Sequence, residues 1–290
     1  YTLLINRSSI MSDEATPEQK RNIATYFIMS SPVGEVDEVV NDVKKLVEDD
    51  STLNEEVLST ILRDYNTEQM TAAAAPGGGG NLLVTKYGQV SSNQYLDPNS
   101  GKVYEFNHLT RTFGAETDKK QVLSENIEAI RNAIQTALNE YITDLYKPNK
   151  ATVAVYGADN GNITICLSAK NVNLSNYWTG SWRSVYTLSN GDLKGFVKIG
   201  VHYFEDGNVQ LHTNVEHSAK VTTSSPEATA TEVRKSIEAF ETNYQNHLEE
   251  MYVNMHRSTF KNMRRFLPLN KVKFQWNSAA HSLASEVTNK

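Results

Sequence analysis

FVKIGVHYFEDGNVQLHTNV, residues 196–215, decides how this chain is read. Apolar and polar side chains alternate on both sides of Glu205-Asp206-Gly207-Asn208, the period-two signature of paired strands. Asp-Gly between two such runs is the strongest short-range signal of a hairpin. The alternation sets Val197, Ile199, Val201 and Tyr203 on one face, and Phe196, Lys198, His202 and Phe204 on the other. Pairing Phe204 with Val209 and His202 with Leu211 gives the second face large apolar groups as well, so both faces are expected to be at least partly covered. In that register His202 and His212 point to opposite faces.

The neighbouring sequence extends the sheet. ATVAVYG (151–157) and NITICLSA (162–169) flank Asp159-Asn160-Gly161, and WRSVYTL (182–188) runs into Asn190-Gly191. Together these predict a five-stranded antiparallel meander over roughly 151–216. SSPEATATEVRK then opens a long helix with Val233, Ile237, Phe240, Tyr244, Leu248, Met251 and Met255 in steps of four and three. A helix of thirty-odd residues spans roughly 50 Å, long for one monomer of this size, and this favours packing across a subunit boundary. Upstream, Leu123, Ile127, Ile130, Ile134, Leu138, Tyr141 and Leu145 predict a helix over 119–147, stopped at Lys147-Pro148.

Residues 16–66 read as three helices, the first capped at Thr16-Pro17-Glu18 and the third opened by Ser51. TAAAAPGGGGN (71–81) reads as a flexible linker, because no Gly-Lys-Ser/Thr follows its glycines. NLLVTKYG, SNQYLD and KVYEFNHL read as a small meander. The predicted class is therefore α+β: an N-terminal helical bundle, a small β meander, and a five-stranded antiparallel sheet covered by a long C-terminal helix. A mobile C-terminal amphipathic arm ends it. The segments expected are a leader (1–10), the three-helix region (11–72), linker and meander (73–118), connecting helix (119–150), sheet and long helix (151–267), and arm (268–290).

The 290 residues carry a formal net charge of −6, 39% hydrophobic side chains and one cysteine. The lone Cys166 excludes an internal disulfide framework and reads as strand core, and the composition suits a soluble cytoplasmic protein. The seven histidines are dispersed, with no His-Glu-x-x-His motif and no Gly-x-Ser-x-Gly. Neither catalysis, nor a metal, nor a cofactor has support, and no nucleic-acid partner is expected.

One feature stands against the acidic balance. No Asp or Glu occurs between Glu250 and Glu286, while Arg257, Lys261, Arg264, Arg265, Lys271 and Lys273 all do. Cations near a helix C-terminus are favourable, but Lys271 and Lys273 lie beyond Pro268, where the helix should have stopped. A focused basic patch on an acidic molecule is an attachment point for something more acidic. Trp276, Ala280, Leu283 and Val287 then form one apolar face of a short terminal helix, suited to a partner's groove. The competing reading is a basic amphipathic adaptor on anionic, phosphoinositide-containing membranes.

YWTGSWRSVYTL (177–188), FVKIGVHYFEDGNVQL (196–211), TFKNMRRFLPLNKVKFQWN (259–277), FIMSSPVGEVDEVVNDV (27–43) and YLDP (95–98) closely resemble the alpha subunit of heterodimeric F-actin capping protein. The similarity is colinear over residues 12–290; the Ala/Gly stretch at 72–80 is peculiar to this sequence. The resemblance implies a heterodimer with a beta subunit, whose sheets join in one layer beneath antiparallel long helices. It implies binding to filament barbed ends, with block of both addition and loss of actin. The family's basic contacts map onto Lys261, Arg265 and Lys271, the last an Arg in much of the family, and the arm carrying Trp276, Leu283 and Val287 matches its tentacle. The resemblance further implies that phosphoinositides and inhibitory proteins bind the same basic surface.

Overall fold

The computed structural model describes residues 15–47, 51–120, 123–205 and 207–259. Lys261, Arg264, Arg265, Lys271, Trp276, Leu283 and Val287 lie outside the described residues. The chain divides within its last described helix into two compact units, Tyr1–Glu238 and Ala239–Lys290.

Three helices open the first unit: α1 (Pro17–Met29), α2 (Val36–Val47) and α3 (Glu55–Glu68). Thr16 Oγ1 accepts from Gln19 N at 3.2 Å while Gln19 Oε1 accepts from Thr16 N at 2.8 Å, a reciprocal capping box with Pro17 at the first helical position. The third helix starts later than Ser51, because Asn54 Oδ1 accepts from Val57 N at 3.0 Å and caps it there. Ala24, Ile28, Val43, Leu58, Ile61 and Leu62 form the bundle core.

TAAAAPGGGGN is not a linker. β1 (Thr71–Ala74) pairs antiparallel with β2 (Asn81–Val84), and Gly77, Gly78 and Gly80 turn the hairpin at positive φ. The polyglycine supplies the left-handed backbone of a turn rather than slack. NLLV therefore leaves the expected meander, whose sheet is instead β3 (Gln89–Ser91), β4 (Gln94–Asp97), β5 (Lys102–Asn107) and β6 (Thr112–Lys120). Because β6 runs to Lys120, the connecting helix α4 begins only at Glu125, after Ser124, and ends at Leu145. Asn66 joins bundle to meander: its amide donates to His108 O at 3.1 Å and accepts from Thr71 Oγ1 at 3.2 Å, all buried.

The main sheet has the expected meander order, with β7 (Ala151–Gly157), β8 (Ile163–Asn173), β9 (Trp178–Ser189), β10 (Asp192–Tyr203) and β11 (Val209–Lys220). Asn190 and Gly191, both at positive φ, make the two-residue turn between β9 and β10. Cys166 is buried in the core, as expected of its apolar strand.

The β10–β11 register differs from the sequence reading by one residue. Tyr203 pairs with Val209 and His202 with Gln210, leaving a five-residue connection. This register aligns Leu211, Thr213 and Val215 with Val201, Ile199 and Val197, so the apolar sets of both strands share one face; a one-residue slip would have sent them apart. One consequence is that His202 and His212 share the opposite face.

The apolar face is covered by the start of α5 (Pro226–Asn254): Ala230, Val233 and Ile237 are buried, and His217 Nε2 meets Ser236 Oγ at 3.0 Å. Arg234 bridges α5 to α4 through Glu140 at 3.0 Å and Asp144 at 2.9 Å. Gly195 is required on that face, since a Cβ there would sit 2.2 Å from Val185 O. In the second unit α5 continues to Asn254, stacks Phe240 on Tyr244 at 6.4 Å, and passes into a π-helical turn, Met255–Thr259.

Candidate functional site

A sheet of five strands has two edges, and this one treats them differently. The β7 edge is closed by a side chain. Gln135, buried on α4, donates through Nε2 to Val153 O at 3.1 Å and accepts from Val155 N at 2.8 Å. One carboxamide thus occupies, at the middle of the strand, a donor and an acceptor that a sixth strand would need. Arg131, also buried, donates to Val155 O at 3.4 Å and to the Glu128 carboxylate at 2.6 Å.

The β11 edge pairs with no strand of this chain among the described residues. Val221 N donates to Gly191 O at 2.8 Å, and an antiparallel ladder alternates from there. The inward-bonding residues of β11 are accordingly Ala219, His217, Val215, Thr213, Leu211 and Val209. Lys220, Ser218, Glu216, Asn214, His212 and Gln210 turn their N–H and C=O groups outward. Twelve residues of edge are long, and no position of β11 is fully buried, Val209 being 61% exposed. Such an edge is a template for another chain.

On the face opposite α5, three separated stretches meet. Pro32-Val33-Gly34-Glu35 forms a turn in which Glu35 N donates to Pro32 O at 3.1 Å, and Gly34 holds φ +92 with Val172 Cγ1 where a Cβ would be, 2.7 Å away. That turn delivers the buried Glu35 carboxylate to Thr179 Oγ1 at 3.2 Å and His202 Nδ1 at 2.8 Å. The SSPVGE, WTGSW and GVHYF segments are therefore one contact in space. Arg111 adds a two-pronged pair with Asp37 of α2. Beside them, Arg183 donates from one terminal nitrogen to Glu68 O at 2.6 Å, and Lys170 is held down to about 8 by burial and then by the Arg183 and Arg111 guanidinia.

The chain matches the family model described as F-actin capping protein alpha subunit over residues 24–286. It belongs to that family. The F-actin-capping protein subunit alpha of Dictyostelium discoideum is 34% identical over 285 residues, covering 95% of this chain and all of that one. Its Caenorhabditis elegans counterpart is 35% identical over 274 residues, covering 92% and 96%. A solved structure titled as a homodimeric actin capping protein alpha subunit from Plasmodium berghei superposes with TM-score 0.72 at 23% identity, covering 89% of this chain and all of that one, and shares the fold.

This member of the family thus carries a sheet with one edge blocked by a side chain and one left unpaired among the described residues. The basic cluster read from sequence begins within the described residues only at Arg257, which is exposed. Sequence reasoning missed Gln135, Glu35 and Arg183. Gln135 had a signal, as a polar residue beside Ile134 on an otherwise apolar helix face; Glu35 and Arg183 had none before the register was known. Among the described residues no group of three or more His, Cys, Asp or Glu could hold a metal ion, and no helix is long and apolar enough to cross a membrane.

Proposed function

We propose that the chain is the alpha subunit of a heterodimeric capping protein that binds filament barbed ends and blocks both addition and loss of actin. The open β11 edge, opposite an edge closed by Gln135, carries this reading, because it provides for one partner strand and only on one side. The beta subunit adds its own edge strand there and continues the sheet. Lys261, Arg265 and Lys271 meet the acidic surface of actin, and the terminal arm lays Trp276, Leu283 and Val287 into an apolar groove. Phosphoinositides and inhibitory proteins compete for the same basic surface. The role requires no catalysis and no cofactor. A membrane adaptor built on residues 257–273 has no supporting observation among the described residues.

The test combines assembly and capping. The chain is expressed alone and with a beta subunit, and native mass and seeded filament elongation are measured. A one-to-one complex that stops barbed-end growth at nanomolar concentration is expected, with the lone chain aggregating or inactive, since large apolar surfaces are rarely exposed on stable monomers. A capping-competent complex of two copies of this chain would replace the heterodimer with a homodimer. A well-behaved monomer that leaves elongation untouched would reject the function.

A further inference from the structure

Among the cations on the sheet face opposite α5, Lys170 is the one without a counter-ion. It is half-buried near the end of β8, and its amine makes no ion pair and no hydrogen bond among the described residues. Across the ladder it faces Ser181, while Ser168 on the same strand faces Arg183, so Arg183 is its diagonal neighbour on the same face. Long side chains at diagonal positions are within reach of each other. Burial, then Arg183, then Arg111 hold the amine down to about 8, and both of those neighbours are cations. The carboxylates of the region are engaged elsewhere. Glu35 serves Thr179 and His202, Asp37 takes both terminal nitrogens of Arg111, and Glu68 is shared between Arg183 and Lys198. Tyr65 donates to Ser31 O at 3.2 Å and stays protonated, because burial raises its phenol. A protonated Lys170 is therefore a like charge beside a guanidinium, an arrangement that favours the free amine. Near pH 7.4 an amine titrating at about 8 is roughly one-fifth neutral, against about a thousandth for an ordinary lysine.

We infer that Lys170 is a site of reversible carbamate formation with carbon dioxide. The Nζ lone pair forms a bond to the carbon of CO2, one C=O π pair passes to oxygen, and an Nζ proton leaves to water or bicarbonate. Nothing is oxidised or reduced. The product replaces a cation by an anion on the same stem, so Arg183 meets a carboxylate-like group where it had met a like charge. A guanidinium fork is well matched to that group. A half-buried amine disfavours bulky acyl donors and admits a small linear molecule.

Trapping tests this. The chain, in the assembly in which it purifies, is equilibrated with carbon-13-labelled bicarbonate and CO2 at about pH 7.5, where the amine is partly neutral. The carbamate is fixed by O-ethylation with triethyloxonium, and the digest is read by mass spectrometry. A labelled ethyl carbamate is expected on Lys170, at least tenfold above that on the exposed Lys44 and Lys194. Arg183→Gln should lower the occupancy at least fivefold. Should that variant fail to fold, Arg111→Gln provides the second arm: Arg111 lies on the turn between β5 and β6, and its loss frees the Asp37 carboxylate, so occupancy should fall at least threefold. No adduct on Lys170, an adduct no greater than that on Lys44, or an unchanged occupancy in a folded arginine variant overturns the site.

Discussion

At the scale of single residues, the groups that matter are polar ones placed where they cannot be replaced by water. Glu35 is buried and holds two partners on different strands, so Glu35→Ala leaves Thr179 and His202 unsatisfied. A loss of about 1–3 kcal/mol is expected from such a deletion, and Glu35→Gln, which keeps an acceptor, should lose less. Denaturant midpoints of the two variants check this; equal midpoints would mean that Glu35 contributes only charge. His108 gives a pH dependence. Burial, chiefly, holds its imidazole below the ordinary 6.5, and burial does the same to His217. The unfolded chain therefore takes up protons at these sites before the folded one does. Stability should be full above pH 6.5 and fall as the pH drops below it. A melting temperature that stays flat from pH 7.5 to about 5.5 would contradict this reading.

At the scale of elements, the two sheet edges make opposite predictions. Asn214 turns its N–H outward, so Asn214→Pro should leave the β10–β11 ladder intact while removing a donor that a partner strand needs. The chain should fold with an unchanged far-ultraviolet spectrum, yet its complex with a beta subunit should dissociate at least tenfold more readily. Val215→Pro, at an inward-bonding position, serves as the contrast and should damage the fold itself. These positions also show what could be read from sequence. Strands, turns and the α5 stripe were legible because their periodicities are local: Asn190-Gly191 and the 233–237 spacing each carry their own signal. The register of the last hairpin was not, since Phe204 looks like a strand residue. Its N–H instead closes on Tyr177 O at 2.9 Å, after the β10–β11 pairing has ended. That single residue decided whether His202 and His212 share a face. The polyglycine was misread for a related reason: composition reports flexibility of the unfolded chain, while φ > 0 at three glycines is what the β1–β2 turn demanded. The basic patch and terminal arm were legible as charge and spacing alone, and beyond the described residues they carry no further signal.

At the scale of the whole molecule, assembly and capping should be separable. The sheet edge lies in the first unit and carries the proposed partner contact, whereas Lys261, Arg265 and Lys271 come after the described residues and carry the proposed actin contact. An acidic chain, net −6, gains nothing for its own solubility by collecting six cations between Glu250 and Glu286. Association with an acidic surface is the role proposed for the cluster, and the energetics of such contacts are graded. Removing one partner of a desolvated pair costs about 2–5 kcal/mol, while a rim charge chiefly alters association rate and salt dependence. Single alanine substitutions at Lys261, Arg265 and Lys271 should thus weaken capping unequally, and the triple substitution should come close to abolishing it. Heterodimer formation should survive, because β11 is untouched. Arg264, adjacent in sequence to Arg265, is the internal control and should matter less. Deleting residues 277–290 should weaken capping independently by removing Leu283 and Val287. Filament elongation at physiological salt, with native mass as the assembly control, distinguishes the outcomes. A triple variant that caps as tightly as the parent would reduce the cluster to a helix-end charge arrangement and move the actin contact elsewhere on the molecule.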